Sequence, residues 1–131
     1  MTPPRPSAVV FAANVDRASR YYRDLASMEL LHADSTHVVL AIDGFELVIH
    51  ALPNEPVTAH APVDVREDAY IKLCLPVDSI VAARERAASL GGHIRDVSAE
   101  WEARGFRACD GYDPEGNVIQ VRESAGAAPT D

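Results

Sequence analysis

The sequence repeats its own order of elements. A Val-Asp pair opening a helix-like stretch occurs at Val15-Asp16 and again at Val77-Asp78, 62 residues further on. Each pair follows one apolar run and precedes three more. Self-similarity at a fixed offset marks one supersecondary unit used again. In the first unit Ala8 to Ala13 reads as a strand. Asn14 or Asp16 can cap a helix from Asp16 to Ser27, where Ala18, Tyr21, Tyr22, Leu25 and Met28 lie close to the spacing of one apolar face. Met28 to Ala33 is a second strand. Thr36 to Ile42 and Phe45 to Leu52 then form a hairpin about Asp43-Gly44, whose residues suit a tight turn with positive φ.

The second unit follows the same order. Tyr70 to Leu75 reads as a strand, and Ser79 to Leu90 as an Ala-rich helix with Ile80, Ala83, Ala87 and Leu90 on one face. Gly91-Gly92 stops that helix. His93 to Val97 is a strand and Ser98 to Gly105 a loop. Phe106 to Tyr112 pairs with Asn117 to Glu123 through the turn Asp113-Pro114-Glu115-Gly116, where Asp bonds nearby backbone, Pro presets φ and Gly takes positive φ. In the last strand Ile119 and Val121 make an apolar face, opposite Val118, Gln120 and Arg122. One face of each sheet therefore packs on helices, and the other is free to line a cleft.

The predicted fold class is α+β: two tandem βαβββ modules, eight strands in paired sheets around a cleft. The predicted domain runs over 8–123, with modules at about 8–52 and 69–123, a proline-bearing linker at 53–68, and loose termini at 1–7 and 124–131. The 131 residues suffice for one buried core. With a net charge of −8, neither nucleic acid nor an anionic membrane is an expected partner. No run approaches the roughly 18 apolar residues of a membrane span, and Cys74 and Cys109 form no disulfide framework, so a cytoplasmic setting is expected. The expected partner is a small molecule.

These residues resemble the vicinal oxygen chelate superfamily, which holds glyoxalase I, extradiol dioxygenases and bleomycin-resistance binding proteins. The likeness rests on Asn14-Val15-Asp16 through Tyr21-Tyr22-Arg23-Asp24-Leu25, on Leu75-Pro76-Val77-Asp78, and on Asp113-Pro114-Glu115-Gly116-Asn117. It spans about Ala8 to Glu123. The resemblance implies a divalent metal held by one side chain from the first and last strand of each module, which carried onto this chain gives Val10, His50, Lys72 and Gln120. Valine cannot ligate and lysine ligates only when deprotonated, so neither a metal nor another cofactor is expected. It also implies a homodimer, because two chains commonly complete the clefts in such proteins.

Strand parity places Glu46, Val48 and His50 on one face, opposite Phe45, Leu47 and Ile49. His50 is either a cleft residue or an ordinary half-exposed strand histidine. Lys72 either pairs within a closed cleft, with Glu46 or an anionic ligand, or reaches water from a sheet edge. Trp101, the only tryptophan, either closes over a flat ligand from its loop or folds back on the core. Cys74 falls on the cleft side near Lys72 and reads as a packing residue, and Cys109 as structural. His32, His37, His60 and His93 show no spacing that suggests a site.

The expected function is metal-free binding of a drug or metabolite, flat or aromatic, in a cleft lined by His50, Lys72, Gln120, Trp101, Glu46 and Arg122, with Val10, Val48 and Val118 as its apolar wall. The alternative is a glyoxalase-like metal-dependent lyase, isomerase or dioxygenase with an atypical site that includes His50.

Overall fold

The structure is a computed structural model and describes residues 3–53 and 64–125. The linker and the tail read from the sequence therefore fall largely outside the described residues, as does His60. Among the described residues there are nine strands and two α-helices. The first module runs β1 (Ser7–Ala12), α1 (Val15–Ala26), β2 (Glu29–Ala33), β3 (His37–Ile42) and β4 (Phe45–Ala51). The second runs β5 (Leu73–Pro76), α2 (Ile80–Ser89), β6 (His93–Ile94), β7 (Trp101–Ala103), β8 (Phe106–Tyr112) and β9 (Val118–Ser124), with a single 3₁₀ turn at Val97–Ala99.

Each module folds its strands into one sheet. The first has the order β1-β4-β3-β2 and the second β5-β9-β8-β6, with β7 added along β8. In both, the strand before the helix lies parallel to the last strand, as a right-handed crossover through the helix allows. The helix starts differ. Asn14 caps α1 by accepting from Arg17 N, whereas Ser79 caps α2 by accepting from Ala82 N, so Val77-Asp78 precedes the second helix rather than opening it.

Three expectations need correction. The strand expected over 93–97 is only His93–Ile94, because Asp96 caps the 3₁₀ turn at Val97–Ala99 by accepting from Ser98 N. The strand expected from Tyr70 begins only at Leu73, leaving Tyr70 and Ile71 strongly exposed and Lys72 just outside the sheet. Among the described residues no partner strand lies along 70–72 to take up their backbone groups. The loop expected over 98–105 contains β7, which pairs with β8 through Trp101↔Ala108 and Ala103↔Phe106. Gly105, at φ +83, provides the turn between them.

A single buried cluster draws on both modules: Tyr21, Tyr22 and Leu25 from α1, Leu40, Leu47 and Ile49 from the first sheet, and Ile80, Ile94, Ile119 and Val121 from the second module. Burying a side chain of this size stabilises by roughly 1.5–3 kcal/mol. Polar contacts fix how the modules meet. The Glu115 carboxylate accepts from Ala13 N and Asn14 N at 3.0 Å each, just ahead of α1. The Tyr22 hydroxyl donates to buried Asp113, which also accepts from Glu115 N, Asn117 N and Asn117 Nδ2. The Tyr21 hydroxyl donates to the Tyr112 carbonyl at 3.1 Å. Gly92 lets that ring pass, since a Cβ there would lie 2.3 Å from Tyr21 Cε2.

Candidate functional site

Directly paired residues share a sheet face, so the strand register shows what each helix-free face carries. On the first sheet Phe11, His50 and His37 form one row, and Val9, Val48, Val39 and His32 the next. Glu46 lies one row further along. The rings of Phe11 and His50 meet edge-on at 5.8 Å, His50 stacks on His37 at 5.9 Å, and His37 lies 4.8 Å from His32. His50 Nδ1 is 2.8 Å from the Ala51 carbonyl. A carbonyl only accepts, so Nδ1 carries the proton and Nε2 is left with its lone pair.

Val10 does not belong to that face. It pairs with Ile49 and packs against the core on the helix side, so the wall on β1 is Val9 and Phe11, each 52% exposed. The position carried over from the resemblance has the wrong parity, and in a strand a slip of one residue reverses the face.

On the second sheet Cys74, Gln120 and Asp110 form one row, Val118, Tyr112 and His93 lie to one side, and Arg122, Ala108 and Trp101 to the other. The polar groups are joined. Lys72 Nζ lies 3.2 Å from Asp110 Oδ2, Gln120 Nε2 donates to Asp110 Oδ1 at 3.0 Å, and Arg122 Nε donates to Gln120 Oε1 at 2.7 Å. Arg122 also points Nη2 at Cys74 Sγ, 3.4 Å away, and sits 4.4 Å over the Phe106 ring. Trp101 meets Phe106 at 6.1 Å and is 42% exposed.

Lys72 thus pairs with Asp110 and not with Glu46, whose ion-pair partner is Arg5. Trp101 is a strand residue on this face, neither a loop lid nor folded into the core. Asp110 and Phe106 were missed by sequence reasoning. Their alternation with Arg107 and Cys109 along β8 would have placed them on the open face.

The structure therefore groups Lys72, Gln120, Arg122, Val118 and Trp101 on the second sheet, and His50, Glu46 and Val48 on the first. A cavity of about 420 Å³ lies at the seam between β1 and the β5–β9 edge, bordered by Val9, Val10, Phe11, Ile71, Leu73 and Val118, so Val10 and Val118 both border it although Val10 is off the open face.

The implied metal does not fit these residues. Of the open-face side chains on the first and last strands, Glu46, His50, Cys74 and Gln120 are candidate ligands, and Glu46 lies two rows from His50 and is ion-paired with Arg5. Both ends of the Gln120 amide are already bonded, and Cys74 faces Arg122. Lys72 and Arg122 bring two positive charges to the place where a divalent cation would sit, and Coulomb repulsion opposes it.

The comparisons with known proteins agree with the fold. The model of a glyoxalase-like domain matches residues 7–122. A search of curated proteins finds no match. Among solved structures, the fosfomycin resistance protein FosX from Listeria monocytogenes is 14% identical, with 95% of this chain and 96% of that one covered at a TM-score of 0.65. A glyoxalase/bleomycin resistance protein from Albidiferax ferrireducens is also 14% identical, with 90% and 96% covered at 0.65. An integron cassette protein from V. cholerae is 18% identical, with 94% and 96% covered at 0.61.

Proposed function

The chain belongs to the glyoxalase-like domain family, within the vicinal oxygen chelate superfamily, and from that premise we propose that it is a small-molecule binding protein whose ligand site is metal-free. The observation that carries this reading is the joined set Lys72–Asp110–Gln120–Arg122, beside Phe106 and Trp101 on the helix-free face of the second sheet. Two cations against one carboxylate leave an excess of positive charge, which favours an acidic or acceptor-rich edge on the ligand. The neighbouring aromatic rings favour a flat ligand able to stack. Gln120, only 6% exposed, is held at both ends and so presents a fixed polar floor. Val118 extends the floor on one side. That the fold is shared with fosfomycin and bleomycin resistance proteins supports a drug or metabolite as the ligand class.

The assembly we propose is a homodimer. Val9 and Phe11 on β1 are exposed, as are Tyr70 and Ile71 ahead of β5. Both β1 and β5 are edge strands, so their apolar side chains stand where a second chain can cover them. In that assembly His50, Glu46 and Val48 join the site only if the first sheet of one chain faces the second sheet of its partner.

The test is a thermal-shift screen of flat aromatic acids and aromatic antibiotics, followed by Trp101→Ala and Gln120→Ala on each hit. A ligand that binds only the folded state raises Tm with its concentration, by about 2.7 kcal/mol of stability at a hundredfold excess over Kd. Both variants are expected to lose most of that shift. Hits bound equally well by both folded variants would place the site elsewhere. A metal in purified protein that is lost with His50→Ala, yet kept by His37→Ala, would overturn the metal-free reading.

A further inference from the structure

Away from that face, the turn between β2 and β3 brings together His32, Asp34 and His37, whose ligating atoms all lie within 4.8 Å of one another. We propose that this hairpin is a binding site for one divalent transition-metal ion of the Zn²⁺ or Ni²⁺ type, held by the two imidazoles and the carboxylate with its remaining positions open to water. The site is separate from the positions at which the family resemblance implies a metal, which lie on β1, β4, β5 and β9.

The turn prearranges the carboxylate. Asp34 Oδ1 accepts from Thr36 N at 2.8 Å, Thr36 Oγ1 at 2.9 Å and His37 N at 3.0 Å, while Asp34 N donates to the His37 carbonyl at 3.0 Å. Oδ1 is thereby occupied with holding the turn. Oδ2 is left to face His32 Nε2, 2.7 Å away. These bonds fix the orientation of the carboxylate before any ion arrives.

The histidines are set in the same way. The Thr36 hydroxyl proton is used on Asp34, so in the 3.1 Å contact between Thr36 Oγ1 and His37 Nδ1 the ring is the donor. That leaves a lone pair on His37 Nε2. At His32 the neutral ring moves its one proton from Nε2 to Nδ1 by exchange with water, and an ion takes the place of that proton between Nε2 and Asp34 Oδ2. Neutral imidazole and carboxylate are a donor set suited to Zn²⁺, Ni²⁺ and Cu²⁺ rather than to Mg²⁺, which takes oxygen ligands. Bonds of roughly 2.0–2.2 Å need the ligand atoms to draw in by about 1 Å. The side chains are free to do so, being 51%, 42% and 32% exposed for His32, Asp34 and His37.

The spacing His32-Ala33-Asp34-Ser35-Thr36-His37 sets two histidines either side of an Asp-Ser-Thr turn. Reading the histidines without that turn hid the grouping. The neighbouring bulge between Leu30 and His32 completes it, by turning His32 onto the face that carries Val39 and, beside it, His37.

The experiment is calorimetric titration of the full-length, chelator-treated chain with ZnCl₂, NiCl₂ and MgCl₂, repeated on His32→Ala, His37→Ala and Asp34→Asn. His93→Ala, a histidine on the other sheet, serves as the control. The expected result is one Zn²⁺ or Ni²⁺ per chain, no Mg²⁺ at the same concentrations, and affinity at least about tenfold weaker in each histidine variant. The two histidine variants leave the backbone and Thr36 bonds of the Asp34 turn in place, so their loss reads ligation rather than folding. Zinc-dependent shifts of the His32 and His37 ring resonances, with His93 unmoved, are expected alongside. Binding that is substoichiometric, unchanged in both histidine variants, or lost equally with His93→Ala would overturn the proposal. None of these outcomes bears on ligand binding at the second sheet.

Discussion

The bond between the Tyr22 hydroxyl and Asp113 joins the helix of one module to the turn of the other, and Tyr22→Phe removes it alone. Both residues are fully buried. Asp113 Oδ2 keeps Asn117 Nδ2 at 3.0 Å, and Oδ1 keeps two backbone donors, so the carboxylate is weakened but not stranded. A hydrogen bond to a charged group contributes about 1.5–3 kcal/mol, so the expected loss is about 2 kcal/mol. For a chain of this length that corresponds to a fall in Tm of roughly 6–10 °C. Tyr21→Phe is the internal standard. It removes a bond to the neutral Tyr112 carbonyl and is expected to cost about 1 kcal/mol. Urea unfolding at fixed protein concentration reads both variants, with the midpoint lowered and the slope unchanged. Equal losses in the two variants, or a loss below about 0.5 kcal/mol for Tyr22→Phe, would refute the idea that this buried carboxylate ties the modules together.

Two further outcomes are expected. Burial first, and Asp113 second, raise the pKa of both Tyr21 and Tyr22, so above pH about 10 the unfolded chain releases protons that the folded chain keeps. Stability is then full below that pH and falls as pH rises, by up to about 1.4 kcal/mol per pH unit for each tyrosine. Tyr22→Phe should roughly halve the slope, and urea midpoints that stay flat from about pH 9 to 11.5 would contradict it. Sedimentation at micromolar concentration is expected to give twice the 14.1 kDa chain mass, and a species of one chain mass would remove the homodimer.

What the sequence determined by itself was local. The apolar spacing of Tyr21, Tyr22 and Leu25, the Asp43-Gly44 turn, the Gly91-Gly92 stop and the alternation of Ile119 and Val121 with Gln120 and Arg122 each act within a few residues. These features carried the element order, the fold class and the membership of Lys72, Gln120, Arg122 and Trp101 in the candidate set. The tertiary structure decided which of those groups meet. Lys72 found Asp110 because β8 lies against β9, a pairing that brings their open-face residues together. Val10 turned inward because β1 lies parallel to β4 in one register out of two with opposite faces. Strand parity sets only that neighbours point apart, while the sheet and helix packed against a strand decide which side is inside. The grouping of His32 with His37 likewise needed the bulge and the closed turn, whose geometry exists only once β2 and β3 are paired.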